Sequence, residues 1–260
     1  MKHKIITFGE LMLRLSPDNN ERFTQAHSYE AVYGGGEANT AVSLANFNVD
    51  TRYVTKLPNH TIGQSAVNSL RQYGVDVSRI VRGGDQIGIY FLEKKTSQRP
   101  TNVIYNRNGS AFALATKEDF DWNSIFEGAT WFHFSGITPA ISDNMAEITI
   151  EACKEAKKRN ITVSCDLNYR SKLWSSEKAN KVMSEVCKYV DICIANEDDA
   201  VGIFGMNASK SDKEKNAYIA EELTKMFPNF KMVASVWRTE TSITTFKLQS
   251  MIYTDGKAYY

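Results

Sequence analysis

The 260-residue chain is long enough to bury a large core, as one α/β domain or as one domain with a small appendage. Its 31 basic and 30 acidic side chains nearly cancel, which removes the strong field that nucleic acid or an anionic membrane would call for and leaves a small molecule as the expected partner. No apolar run approaches the roughly 20 residues that span a bilayer, and the start runs directly into a strand pattern without an apolar leader, so a cytoplasmic protein is expected.

The first strand pattern, Ile5 to Phe8, is not followed by Gly-x-Gly-x-x-Gly, so a dinucleotide-binding oxidoreductase is disfavoured. Two stretches, Leu11 to Tyr33 and Gly88 to Tyr105, are dense in short β signals such as Leu11 to Leu15, Ile87 to Leu92 and Asn102 to Tyr105. Neither leaves room for a crossover helix between its own members, so an antiparallel sheet is expected, forming a small lid on an α/β body. Between them lies Gly34-Gly35-Gly36-Glu37-Ala38-Asn39, where the glycines let the backbone come close to a polyol. Asn39 falls in the first turn of a helix whose Ala38, Ala41, Val42 and Ala45 share a face.

From Thr130 onward the chain repeats one grammar of apolar strand, polar turn and amphipathic helix. Strands are expected at Thr130 to Ser135, Ile161 to Cys165, Val190 to Ala195 and Met232 to Val236, with helices from about Asp143 and around Ala179 to Val186. This pattern predicts a mostly parallel sheet, whose ligands sit outside the carboxyl ends of the strands. Asp166-Leu167-Asn168-Tyr169-Arg170 and Asn196 occupy such ends. Cys153, Cys165, Cys187 and Cys193 lack a Cys-x-x-Cys pair and read as core thiols. Aromatics of the lid, Phe23, Tyr29, Tyr33 and Phe91, are expected to be exposed and to permit a homodimer formed lid to lid.

With these motifs in order, the chain closely resembles the ribokinase-like (PfkB) sugar kinases, and among them the 2-keto-3-deoxygluconate kinases. The resemblance rests on Ile5 to Glu10, the Gly34 to Asn39 signature, Gly63, the β lid, Asp166-x-Asn168-x-Arg170, Asn196 to Asp199, Ser235 to Arg238 and Tyr253 to Lys257. It implies a three-layer α/β body with a mostly parallel sheet, one kinase domain over 1–260 with a lid from 11–33 and 88–107. It also implies transfer of the ATP γ-phosphoryl group to a sugar hydroxyl, with Mg²⁺.

A 2-keto-3-deoxy sugar acid offers a carboxylate, a carbonyl and hydroxyls, and so calls for guanidinium, phenol and amide partners. The resemblance places Gly34, Gly35, Asn39, Tyr90, Tyr105, Arg107 and Arg170 on the acid. The resemblance also makes Arg170 catalytic with Asp166 in support, near the phosphoryl path or orienting Arg170, although the residues alone equally allow a helix cap at Asp166. Asn196 is expected on the nucleotide phosphates, with Glu197 and Asp199 meeting Mg²⁺ through water. Asp199 stands where the family usually has Glu. The family's Asp-x-x-Gly-Ala-Gly-Asp segment, whose last Asp is the catalytic base, would follow Asp255-Gly256 and lies beyond Tyr260, so the 260 residues by themselves are expected to be incomplete for catalysis. Other readings are a kinase of a neutral sugar such as fructose or ribose, and a sugar-binding fragment without catalysis.

Overall fold

The computed structural model describes residues 3–96, 98–206, 212–242 and 245–260. The chain divides into two compact units, Met1–Ala129 and Thr130–Tyr260.

In the first unit, strand β1 (Lys4–Phe8) is followed by β2 (Met12–Pro17), β3 (Tyr29–Gly34), helix α1 (Gly36–Asn46) and β4 (Asp50–Val54). Strands β1 and β4 pair in parallel, Ile6 opposite Arg52 and Phe8 opposite Val54. Helix α1 turns Ala38 and Ala41 into a buried cluster with Leu11, Tyr53 and Leu57. The chain continues through β5 (Lys56–Leu57), α2 (Thr61–Arg71), β6 (Val81–Arg82), β7 (Ile89–Glu93), β8 (Asn102–Asn106) and α3 (Trp122–Ile125). Buried Arg52 fastens the end of α3 to β4: its Nε donates to Asp76 at 2.8 Å and its Nη1 to the carbonyl oxygens of Ser124 and Ile125.

The lid is a four-stranded sheet in the order β3-β2-β7-β8. Its pairing corrects the expectation of a wholly antiparallel sheet. Strands β2 and β3 pair antiparallel, as do β7 and β8, but β2 and β7 run parallel, with Arg14 opposite Tyr90. Parallel neighbours need a long crossover. The chain supplies one between the two β-rich stretches, where α1, β4 and α2 lie, although neither stretch holds one itself. The exposure of the lid aromatics also differs from expectation. Tyr29 is exposed, but Phe23, Tyr33 and Phe91 are half-buried, and Phe91 takes edge contacts from Phe23 and Tyr29 at ring-centre distances of 6.3 and 6.5 Å.

The second unit builds the expected βα repeat. Strand β9 (Trp131–Ser135) leads through α4 (Ile137–Ala140) and α5 (Asp143–Lys158) to β10 (Thr162–Asp166), then α6 (Ser176–Val186), β11 (Ile192–Ile194), α7 (Glu197–Phe204) and α8 (Asp212–Met226). Strands β12 (Met232–Glu240), β13 (Phe246–Thr254) and β14 (Lys257–Tyr259) close it. Neighbours from β9 through β12 are parallel, whereas β13 and β14 add antiparallel strands at the edge.

Helix α5 shows why these elements form where they do. Ser142 caps its start by accepting from the Met145 amide, and Met145, Ile148, Ala152 and Ala156 fall on the buried face. Lys157 and Lys158 sit in its last turn, where the helix dipole favours cations. All four cysteines are buried and free, and burial pushes their thiols upward, as expected of core packing. Among the described residues no helix is long and apolar enough to cross a membrane.

Candidate active site

On the lid, side chains alternate between the two faces of each strand, and register therefore decides which residues stand together. Arg14, Tyr90 and Tyr105 face one another across β2, β7 and β8 and share one face of the sheet. The rings of Tyr90 and Tyr105 stack with centroids 5.9 Å apart, and burial raises the Tyr90 phenol. Gly34 ends β3 beside this row. A Cβ built on it would lie 3.7 Å from the Tyr90 hydroxyl and 3.8 Å from Asn39 Oδ1, so the glycine keeps open a gap between a phenol and an amide. Asn39 is exposed in the first turn of α1. A cavity of about 380 Å³ reaches Gly34 and Asn39, walled also by Leu11, Tyr33, Ala38 and Val42. Gly35 serves a different end, because any Cβ there would collide with the Glu10 carbonyl oxygen.

Arg107 follows β8 and places its guanidinium 5.8 Å from the centre of the Tyr105 ring. The arc Asn39, Gly34, Tyr90, Tyr105 and Arg107 is therefore continuous within the first unit. Its last member is tied within the protein. Arg107 is buried, and its Nε and Nη2 both donate to Oε2 of Glu10, the former at 2.7 Å. Ser110 donates to the other Glu10 oxygen at 2.5 Å. Burial pushes the Glu10 carboxyl upward, with Arg107 and Ser110 acting against that shift. Glu10 and Arg14 were not among the residues expected at the site. An acid directly after a buried apolar strand was the available signal for the first, and a lone arginine within an otherwise apolar strand for the second.

In the second unit, Asp166 ends β10 and accepts from the Asn168 amide at 3.2 Å, which shapes the turn toward Arg170. Asn168 takes a positive φ of 39° in this turn. Arg170 is exposed. Asn196 and Asp199 form a reciprocal cap on α7, each side chain accepting from the other's amide at 3.0 Å. The second oxygen of Asp199 accepts from the Tyr169 amide at 2.7 Å. Asp199 was expected to meet Mg²⁺ through water, and in the structure it makes main-chain contacts. Both of its oxygens already hold main-chain donors, and it ties the Arg170 loop to the start of α7. Burial pushes its carboxyl upward, and the two amides and Arg170 oppose the shift.

Glu197, partly exposed and paired with Lys215 at 3.0 Å, keeps the solvent access that Asp199 lacks. A hydrated Mg²⁺ fits Glu197, which needs only to reach a metal-bound water, better than it fits Asp199. A second cavity, of about 330 Å³, lies beside it and is lined by Asn196, Glu197, Lys215, Trp237 and Arg238 among others. Among the described residues no three His, Cys, Asp or Glu side chains gather as a metal cluster. Gly202 and Gly205 have structural duties: a Cβ at Gly202 would strike the Tyr169 ring, and Gly205 ends α7 in the left-handed conformation.

The profile of pfkB family carbohydrate kinases matches residues 2–229. The chain belongs to this family. It resembles the crystal structure of 2-dehydro-3-deoxygluconokinase from Thermotoga maritima with a TM-score of 0.95 and 46% identity, over 100% of this chain and 78% of that one. The fold is therefore ribokinase-like, mixed α/β with a mostly parallel sheet. Among curated relatives, the 2-dehydro-3-deoxygalactonokinase of Haloferax volcanii is 38% identical over 201 residues, covering 76% of this chain. The 2-dehydro-3-deoxygluconokinase of Bacillus subtilis is 28% identical over 179 residues, or 68% of this chain. The matches span 62% and 55% of these two relatives' own lengths.

Proposed function

We propose that this protein phosphorylates a 2-keto-3-deoxy sugar acid at its terminal hydroxyl, with ATP as donor and Mg²⁺ as counter-ion, in the cytoplasm. The observation that carries this reading is the continuous lid arc in which an amide, a glycine gap, two stacked phenols and a guanidinium follow one another. An acid substrate has a matching sequence of groups, hydroxyls for Asn39 and Tyr90 and a carboxylate for Arg107. A neutral sugar would offer no carboxylate to the guanidinium edge that Glu10 does not use.

In this reading Gly34 and Asn39 orient the sugar, and the lid excludes water from it. Arg170, at the end of β10, stabilises charge on the transferring phosphoryl group, and Asp166 and Asp199 shape the turn that carries it. Asn196 would hold nucleotide phosphates, and Glu197 a water of Mg²⁺. The metal, when bound, neutralises phosphate charge. We extend the proposal to a homodimer through the lid, supported by Ile104 and Tyr29, which are 50% and 38% exposed.

The relatives' names differ in the configuration at one sugar carbon, galactonate against gluconate. The test is therefore sugar-dependent ADP release, measured with 2-keto-3-deoxygluconate, its galactonate epimer, fructose and ribose, with and without Mg²⁺. Turnover with either acid at higher kcat/KM than both neutral sugars is expected. Faster turnover of fructose or ribose would reject the substrate class. Sugar binding without ADP release would instead support a binding role.

A further inference from the structure

A guanidinium binds a carboxylate well only when its plane is fixed, because two parallel N–H···O bonds require fork and carboxylate to be coplanar. Arg107 lies just past the end of a lid strand, a place with no regular structure to hold a long side chain. Glu10 holds it from the far side. One Glu10 oxygen takes both the Nε and Nη2 donors of Arg107, and the other is locked by Ser110, whose own hydroxyl accepts from the Ala113 amide at 3.1 Å. Gly88 leaves space for this carboxylate, since a Cβ there would collide with Glu10 Oε1. Every atom of Glu10 is thus constrained, and its side chain is 2% exposed. A guanidinium has five donors. Glu10 uses the Nε–Nη2 edge, and among the described residues Nη1 has no hydrogen-bond partner.

We infer that Glu10 is a positioning residue for acid recognition: by gripping one edge of Arg107, with Ser110 as its own anchor, it presents the opposite edge to a substrate carboxylate. This rests on the sugar-acid reading above. It also has an unusual electrostatic sign. Glu10 is itself an anion close to where the substrate anion would sit, so through charge alone it opposes acid binding. Positioning and charge therefore make opposite predictions for its removal.

The experiment is calorimetric binding of 2-keto-3-deoxygluconate and of its neutral counterpart 3-deoxyfructose, in which the carboxylate is replaced by CH₂OH. The proteins are the parent, Glu10→Gln, Arg107→Ala and the double variant. The parent is expected to prefer the acid, and Glu10→Gln to lose about tenfold of that preference, the scale of one hydrogen bond to a charged group. In the Arg107→Ala background, Glu10→Gln should leave the ratio unchanged, because the effect passes through Arg107. Ser110→Ala should shift the ratio the same way by less, and it carries the test if Glu10→Gln does not fold. Tighter acid binding by Glu10→Gln, an unchanged ratio in both Glu10→Gln and Ser110→Ala, or equal weakening of both ligands would overturn the inference and leave Glu10 a structural residue. A parent protein that binds both ligands alike would instead sink the sugar-acid reading, and the inference with it.

Discussion

The two arginines of the proposed function are held in opposite ways. In the first unit Arg107 is buried and donates two hydrogen bonds to Glu10, which Ser110 braces in turn. In the second unit Arg170 is exposed, in a backbone turn where Asp166 holds Asn168 and Asp199 holds Tyr169. In the proposed reaction a substrate carboxylate would be present from binding to release and would meet a rigid partner. Charge on a transferring phosphoryl group would be transient and would meet an exposed arginine. On that proposal, rigidity in one region and freedom in the other match when each charge would appear.

The largest expected effect tests this contrast directly. Arg107→Ala should destabilise the protein by about 3 to 5 kcal/mol, because it leaves the Glu10 charge buried without its partner. Arg170→Ala should stay within about 0.5 kcal/mol of the parent, as surface changes do, while lowering sugar-acid turnover. Chemical denaturation measures both, and equal losses would erase the distinction.

A second comparison lies within the glycine signature. Gly35→Ala should cost about 1 to 3 kcal/mol, since its Cβ meets a backbone carbonyl that cannot step aside. Gly34→Ala meets only ordinary contacts, so its melting temperature should hold while sugar-acid affinity falls. Loss of stability at Gly34 without loss of binding would take it out of the site.

Asp199→Ala should cost about 1 to 2 kcal/mol through the lost cap. As a tether it should lower kcat without moving the Mg²⁺ midpoint, whereas Glu197→Ala should move that midpoint. The reverse pattern in a magnesium titration would return Asp199 to the metal.

A further effect concerns pH. Burial of His133 against Ser164 lowers its pKa from 6.5 to about 4, so the folded form holds a neutral ring where the unfolded chain binds a proton. Stability present above pH 6.5 should therefore fall as pH drops from 6.5 toward 4. A fully shielded ring would lose about 1.4 kcal/mol per pH unit, and residual solvent contact at His133 makes the slope shallower. His133→Gln should flatten this dependence in denaturation curves.

Much of this arrangement could be read before any coordinates. The βα grammar from Thr130 onward emerges as four parallel strands because each buried strand is a short apolar run and each helix carries a local apolar stripe. Asn39 beside Gly34, and Tyr90 stacked on Tyr105, follow from helix phase and hairpin register, which are short-range properties. What escaped the sequence was contact between distant positions. The parallel pairing of β2 with β7 depends on strands separated by a whole βα segment, and the grip of Glu10 on Arg107 joins residues 97 apart. The expectation of Mg²⁺ at Asp199 came from its likeness to the family's acidic element, while its bond to Tyr169, 30 residues earlier, is not visible in the local sequence.

The parallel seam at the centre of the lid also governs the order in which the protein assembles. Residues 13–15 can meet residues 89–91 only after the intervening helices and strand have compacted, because closing so long a loop of disordered chain carries an entropy that the seam alone does not repay. The lid is then a late arrival on the folding route, absent from the rate-limiting barrier. Trimming Leu15, which sits in that seam opposite Phe91, should hasten unfolding and leave the folding rate nearly untouched.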